Sequence, residues 1–256
     1  MGYRLTADGL NKALSMLGEK YRIYAPHRFE GEGEYSDTDS IRYAEVKTVE
    51  EMELGQKSSH TFKEALLPIS ETLFYFTEDS VKQSDERERE AIVLLRSCDL
   101  HAVLRQDGIY LNNGATDYYY KRLRDKTKFI LIGCPTAFDN CFCVDMGTNV
   151  CEQYSASLDE RDGQYYMDCN EAEWDAVLAG CAEQQLDVQP AHVEQTQVRV
   201  QIPDGLTAAV AASGMWDEYD SRCIACGRCN FSCPTCTCYT MQDIFYTDNG
   251  RVGERR

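Results

Sequence analysis

The sequence predicts a mixed α and β fold built around a β–α–β unit, followed by a short cysteine-rich segment that binds metal. Three observations carry this expectation. AIVLL (91–95) and FILIGC (129–134) are short continuous apolar runs, as expected of strands buried on both faces. RSCDLHAVLRQ, a polar loop and a helix around YYYKRLRD lie between them, so the strands should be parallel with a right-handed connection. Third, the 256 residues hold thirteen cysteines, six of them within residues 223–238, CIACGRCNFSCPTCTC.

Taken from the start, Thr6 is placed to cap a helix in which Leu10, Ala13, Leu14 and Leu17 recur at helical spacing, with Gly18 closing it. YRIYAP follows as a strand that Pro26 is expected to end. Residues 30–40, EGEGEYSDTDS, read as a solvated loop, and IRYAEV as a half-buried strand. His27 and His60 lie in polar surroundings and are assigned surface or hydrogen-bonding roles. Beyond the central unit, residues 152–168 read as a hairpin turning at Asp162-Gly163. Asn170 with Glu173 resembles a capping box for a helix carrying Trp174, Val177, Leu178 and Cys181 on one face, which makes Cys181 a core residue. HVEQTQVRVQIP is expected to be a strand, and a helix from about Leu206 to Trp216 leads into the cysteine-rich segment.

Cys223, Cys226, Cys229 and Cys233, followed by Pro234, fit the bacterial ferredoxin spacing C-x2-C-x2-C-x3-C-P. Two residues between thiolates let a tight loop wrap three corners of an iron–sulfur cube, and Gly227 supplies a residue free to take positive φ. In paired-cluster proteins the fourth cysteine of such a run ligates the other cluster, which assigns Cys233 away from the cube of Cys223, Cys226 and Cys229. Zinc would prefer two C-x2-C pairs about 12–20 residues apart, and a disulfide framework belongs to small secreted domains. No second motif follows Cys238, so the polypeptide is read as truncated relative to a functional parent, or as taking its missing ligand from elsewhere.

A second group of thiols falls at the carboxyl ends of the two buried strands, where ligands of α/β sheets usually sit. Cys98 lies just past the first strand and Cys134 ends the second, with Cys141 and Cys143 following in CPTAFDNCFC. These four are candidates for an additional iron–sulfur cluster, with Asp99 as a candidate oxygen ligand. The competing reading of Cys98 and Cys134 is that they are small buried residues, since free cysteine packs well in cores. Cys151 and Cys169 are isolated and carry no assigned role.

Composition narrows the function classes. The net charge of −17 argues against nucleic acid and anionic membrane surfaces as partners. No run approaches a membrane span. The N-terminus lacks the apolar core of a signal peptide, so the thiols are read as reduced and the compartment as cytoplasmic. Neither G-x-G-x-x-G after a strand nor G-x-x-x-x-G-K-[ST] is present, which leaves nicotinamide, flavin and ATP binding unsupported. The chain therefore reads as a carrier of electrons, with no substrate site of its own.

The stretches PISETLFYF (68–76), RSCDLHAV (96–103), NCFCVDMGTN (140–149) and WDEYDSRCIACGRCNFSCPTCTCY (216–239) resemble the iron–sulfur electron-transfer subunit of bacterial anaerobic sulfite reductases, whose wider relatives are sulfhydrogenase β subunits. The resemblance implies an α+β domain over residues 1–218 joined to a ferredoxin-like [4Fe-4S] segment over 219–256, incomplete beside the family's two-motif pattern. It implies two partners, one a flavin-containing subunit and the other a sirohaem-containing subunit that reduces sulfite to sulfide. It extends over Cys98, Cys134, Cys141 and Cys143 and over the CPTCTCY that holds Cys236 and Cys238. Those two last cysteines stay open between thiols that support the cluster and a substitute ligand. Two other readings compete: an iron–sulfur β subunit of a hydrogenase or sulfhydrogenase, and a non-enzymatic zinc-binding interaction module.

Overall fold

The hydrophobic pattern sorts the chain into strands and helices much as the spacing predicts, in a computed structural model that describes residues 1–85 and 89–256. Strand β1 (Gly2–Leu5) leads into helix α1 (Ala7–Leu17), where the Thr6 side chain accepts the Gly9 amide at 3.1 Å. Leu10, Ala13, Leu14 and Leu17 form the buried stripe of α1. Gly18 closes the helix in the right-handed region, with φ −63°, so glycine's left-handed freedom is not used there.

Strands β2 (Tyr21–Phe29) and β3 (Ser40–Glu45) pair antiparallel. Contrary to the sequence expectation, Pro26 does not end β2. Its backbone faces away from β3, on the side where pairing with the next strand has stopped at Tyr24, and its carbonyl accepts the Glu53 amide at 2.7 Å. A missing N–H costs no ladder bond at such a position. A 3-10 turn (Val49–Glu51), helix α2 (Lys63–Leu66) and the short strands β4 (Phe74–Phe76) and β5 (Val81–Gln83) follow.

The central unit is β6 (Glu90–Leu95), α3 (Ser97–Tyr110), α4 (Tyr118–Arg124) and β7 (Thr127–Ile132), with β6 and β7 parallel as expected. Strands β8 (Ala156–Arg161) and β9 (Gln164–Asp168) make the expected hairpin. Asp162 and Gly163 both take positive φ, 52° and 72°, as a two-residue turn of that kind requires. Helix α5 (Ala172–Ala179) and strand β10 (Gln184–Leu186) complete the main sheet, in the order β10-β1-β9-β8-β7-β6-β2-β3.

The period of two along each strand divides the core. Ile92, Leu94, Ile130 and Ile132 point to the face covered by α1 and α5, where Trp174 and Leu178 are buried. Val93, Leu95, Phe129 and Leu131 point to the opposite face, against Phe62 and Leu66 near α2 and Leu100 and Val103 of α3. Helices therefore cover both sides, which is why the central strands are apolar throughout.

Three local expectations are corrected. Helix α5 starts after Glu171 without a side-chain cap, because Asn170 turns its amide to the Tyr154 carbonyl instead. Residues 192–203 form no strand: Arg199 and the Val200 amide are held by the Asp145 carboxylate, which takes the backbone off any sheet edge. Between 206 and 216 there is a 3-10 turn (Ala208–Ala212), and the following helix α6 (Met215–Arg222) begins late, where Gly214 interrupts. Cys181 packs at the edge of the core, half-buried.

Helix α7 (Arg228–Ser232) and strands β11 (Asp243–Phe245) and β12 (Gly253–Arg255) end the chain. They join a second sheet in the order β11-β12-β4-β5, in which Gly253, Glu254 and Arg255 face Phe76, Tyr75 and Phe74. This sheet crosses the boundary that the sequence suggests at residue 218, because it takes β4 and β5 from the amino-terminal side. Among the described residues no helix is long and apolar enough to cross a membrane.

Candidate metal centres

Parallel strands β6 and β7 end at the same edge of the main sheet, and the chain leaving each carries a thiol. Arg96 is the N-cap of α3, in extended conformation, and Cys98 is the second residue of that helix. After Ile132 the chain passes Gly133 and reaches Cys134, whose amide donates to the Ala191 carbonyl at 2.8 Å. The loop from Cys134 to Ser155 folds back over α3. Ser97 Oγ donates to the Thr148 carbonyl at 2.9 Å, and His101 Nε2 meets the Val150 carbonyl at 2.8 Å. Gly147 takes φ 63°, which lets the loop reverse so that the Thr148 amide reaches the Cys143 carbonyl.

These constraints bring Cys98, Cys134 and Cys143 close enough at the crevice between the strand ends for their charges to act on one another, with Cys141 near Cys143. Cys98 is exposed to solvent, yet protein atoms crowd round its thiol. Burial pushes its thiol well up, and the charges of Asp99, Cys134 and Cys143 add to the effect while Lys57 opposes it. The Cys143 thiol is raised for the same first reason, then by Cys141 and Cys134. Burial also raises the Asp99 carboxyl, to about 6, against the pull of Arg96 and Lys57. A crevice that resists thiolate charge on bare thiols, yet contains two cations, suits a group that shares that charge with metal.

Arg96 is the residue that sequence reading passed over. Only 8% exposed, it donates to Cys134 Sγ at 3.1 Å and to the Leu54 carbonyl at 2.7 Å, with Phe138 under its guanidinium at 4.7 Å. Its signal was a charged side chain placed directly after a fully apolar strand. Among the described residues no three His, Cys, Asp or Glu groups close on one point as the ligands of a single ion would. A tetrahedral zinc site needs that convergence at about 2.3 Å. A cube offers separate iron corners, and an all-thiol donor set is the soft kind that iron–sulfur clusters take.

The ferredoxin-type motif lies on a loop that leaves α6. Ala225 and Gly227 both take left-handed backbone, φ 55° and 73°, one on each side of Cys226. Alternation of right- and left-handed residues turns successive amides to one side and makes a concavity for anions, as a loop around a negatively charged cube requires. Cys229 lies on α7 and Cys233 follows its last residue. The Cys229 and Cys236 thiols both point at Asn230 Oδ1, at 3.6 and 3.4 Å, and the neighbouring Cys238 backbone holds the Cys236 thiol below its usual range. The Cys233 sulfur turns instead to Thr235 Oγ1 at 3.3 Å. All thirteen cysteines are free thiols.

No Cβ at position 227 would meet a heavy atom within 4 Å, so Gly227 is needed for its φ alone. Gly227→Ala should therefore leave the main sheet unchanged and cost about 1–2 kcal/mol within this loop. The expected result is faster loss of the motif's iron in air, followed by the decay of its visible absorbance, at unchanged thermal stability of the remaining domain.

This segment is docked on the rest of the protein. Lys63 Nζ donates to the carbonyls of Asn230 at 2.6 Å and Cys236 at 3.0 Å, and the Thr61 amide to that of Phe231 at 3.2 Å. Buried Gln106 donates to the Pro234 carbonyl at 2.7 Å. His60 stacks on Phe231 and meets Glu64 Oε1 at 3.0 Å, and His27 meets the Glu51 carbonyl at 2.7 Å, hydrogen-bonding roles of the expected kind.

Comparison with known proteins agrees with this chemistry. A family described as the 4Fe-4S dicluster domain matches residues 222–256. The chain is similar to the beta subunit of sulfhydrogenase 2 from Pyrococcus furiosus, with 23% identity over 259 residues, covering 94% of this chain and 74% of the relative. No solved structure matches it. The cofactors are [4Fe-4S] clusters and their role is electron transfer.

Proposed function

We propose that the chain is the iron–sulfur electron-transfer subunit of a cytoplasmic anaerobic sulfite reductase complex. It receives electrons from a flavin-containing subunit that oxidises a nicotinamide cofactor and delivers them to a sirohaem-containing subunit that reduces sulfite to sulfide. One observation supports the relay: helix α3 touches both cysteine-bearing regions. Cys98 is on its first turn, and Gln106, eight positions on, holds the segment of Cys233 and Cys236. Eight residues of helix span about 12 Å, so one short rigid element joins the two regions. Cys98, Cys134, Cys141 and Cys143 would hold the crevice cluster, and Cys223, Cys226 and Cys229 the first cube of the ferredoxin-type loop.

Sulfite is favoured by the four sequence stretches that resemble the electron-transfer subunit of sulfite reductases. The sulfhydrogenase relative favours a second reading, an iron–sulfur β subunit of a hydrogenase or sulfhydrogenase. Anaerobic purification of the intact complex decides between them. Sirohaem absorbance in the co-purifying partner is the expected result, and nickel there would replace it by the second reading. Zinc without iron or acid-labile sulfide would overturn both.

The crevice cluster has its own test. Cys98→Ser combined with Cys134→Ser should lower iron and sulfide by one cluster per chain, while the ferredoxin-type signal stays. Unchanged iron would return the four thiols to the packing role.

A further inference from the structure

We infer that Arg96 is a positioning residue that sets the reduction potential of the crevice cluster, through a hydrogen bond from its guanidinium to the Cys134 sulfur; this rests on the crevice cluster proposed above. The side chain is fixed at every point that matters. Nη2 is engaged by the carbonyls of Leu54 at 2.7 Å and Gln56 at 3.3 Å. Nη1 faces Cys134 Sγ at 3.1 Å, with the Gly133 carbonyl farther away at 3.4 Å. Phe138 lies against the guanidinium at 4.7 Å, and the residue is nearly out of solvent. The planar fork thus aims one donor at a ligand sulfur with no freedom to turn elsewhere.

An N–H aimed at a ligand sulfur is one of the levers that set an iron–sulfur potential. Reduction brings one electron from the external donor into the cluster and its thiolates, and no bond forms or breaks. The added negative charge strengthens the bond from Arg96, so the reduced state gains more than the oxidised one. A charge-assisted hydrogen bond in a poorly hydrated site is stronger than a neutral one, and the part that differs between the two states shifts the midpoint upward. Arg96 also ties residues 54–56 to the Cys134 loop, so a structural contribution has to be separated from the electronic one.

The test uses the full chain, reconstituted anaerobically and titrated potentiometrically while both clusters are followed by electron paramagnetic resonance. The ferredoxin-type cluster is the internal reference. With Arg96→Gln the reduction equilibrium of the crevice cluster should weaken about tenfold, a midpoint lower by about 59 mV for one electron, with iron content and the reference unchanged. Arg96→Lys, which keeps the charge without the fork, should recover only part of that shift. A wild-type midpoint in both variants would overturn the inference. Loss of crevice iron from both would also overturn it, by showing that Arg96 only holds the loop. The absence of a crevice cluster in the wild type is a different failure, seen in the Cys98/Cys134 variant before Arg96 is touched.

Discussion

Cys226→Ser is expected to abolish the first ferredoxin-type cluster, whereas Cys233→Ser should leave its iron nearly unchanged. Cys226 stands between the two left-handed residues of the loop, Ala225 and Gly227, where the backbone concavity is deepest. Cys233 follows α7 and faces Thr235, away from Asn230, where Cys229 meets Cys236 and, through it, Cys238. Spacing alone gives the fourth cysteine of such a run to a different cube. The structure adds a reason for the first site to survive without it, since two further thiols lie beside Cys229. Iron and acid-labile sulfide per chain should be compared in a background with Cys98, Cys134, Cys141 and Cys143 already replaced. Equal loss in both variants would mean that the motif closes on a single cube.

Much of this was legible because the signals were local. The parallel pair β6 and β7, the α1 stripe and the Asp162-Gly163 turn each follow from periodicity or from a residue that prefers one backbone region. The ferredoxin-type spacing was legible for the same reason, being a constraint on one short loop. The failures have a common cause in tertiary contacts that the local pattern does not encode. HVEQTQVRVQIP alternates like a strand, but Asp145 takes the donors of Arg199 and Val200 and no sheet edge receives it. Pro26 looked like a strand end because proline has no N–H for a ladder, and nothing local shows that pairing with the parallel neighbour stops at Tyr24. Lys63 and Gln106 gave no signal at all, because each holds a carbonyl more than 120 positions away in the sequence. Arg96 was visible as a residue and invisible as a neighbour of Cys134, since that contact exists only once β6 and β7 lie side by side.

The same side-by-side arrangement makes Gly133 a position of little tolerance, and Gly133→Ala should both destabilise the protein and disturb the crevice. A Cβ there would lie 1.9 Å from Asp159 Oδ1 and 2.6 Å from its Cγ. Asp159 cannot simply rotate away. Its side chain is 2% exposed, and its carboxylate accepts the Ala191 amide at 3.1 Å. Giving up that bond would leave the buried carboxyl with only Arg161, 3.8 Å away, as a partner. The backbone is equally tied, through the Gly133 amide to Leu158 at 3.0 Å and the Cys134 amide to Ala191 at 2.8 Å. Overpacking of this kind costs about 1–3 kcal/mol, and loss of the bond to Asp159 adds a charge-assisted share of about 1.5–3 kcal/mol where it breaks. At about 2–4 °C per kcal/mol for a domain of this size, the melting temperature should fall by roughly 2–12 °C from overpacking alone and by up to about 24 °C where the bond also breaks. Because any relief moves Cys134, iron should be lost from the crevice before the ferredoxin-type loop is affected. Asp159→Ala alone should also destabilise, by leaving the Ala191 amide unpaired, but the double variant should lose less than the sum, since the clash is gone. Strict additivity in thermal unfolding would show that the two residues do not press on each other, and that Gly133 is not what holds Cys134 at the sheet edge.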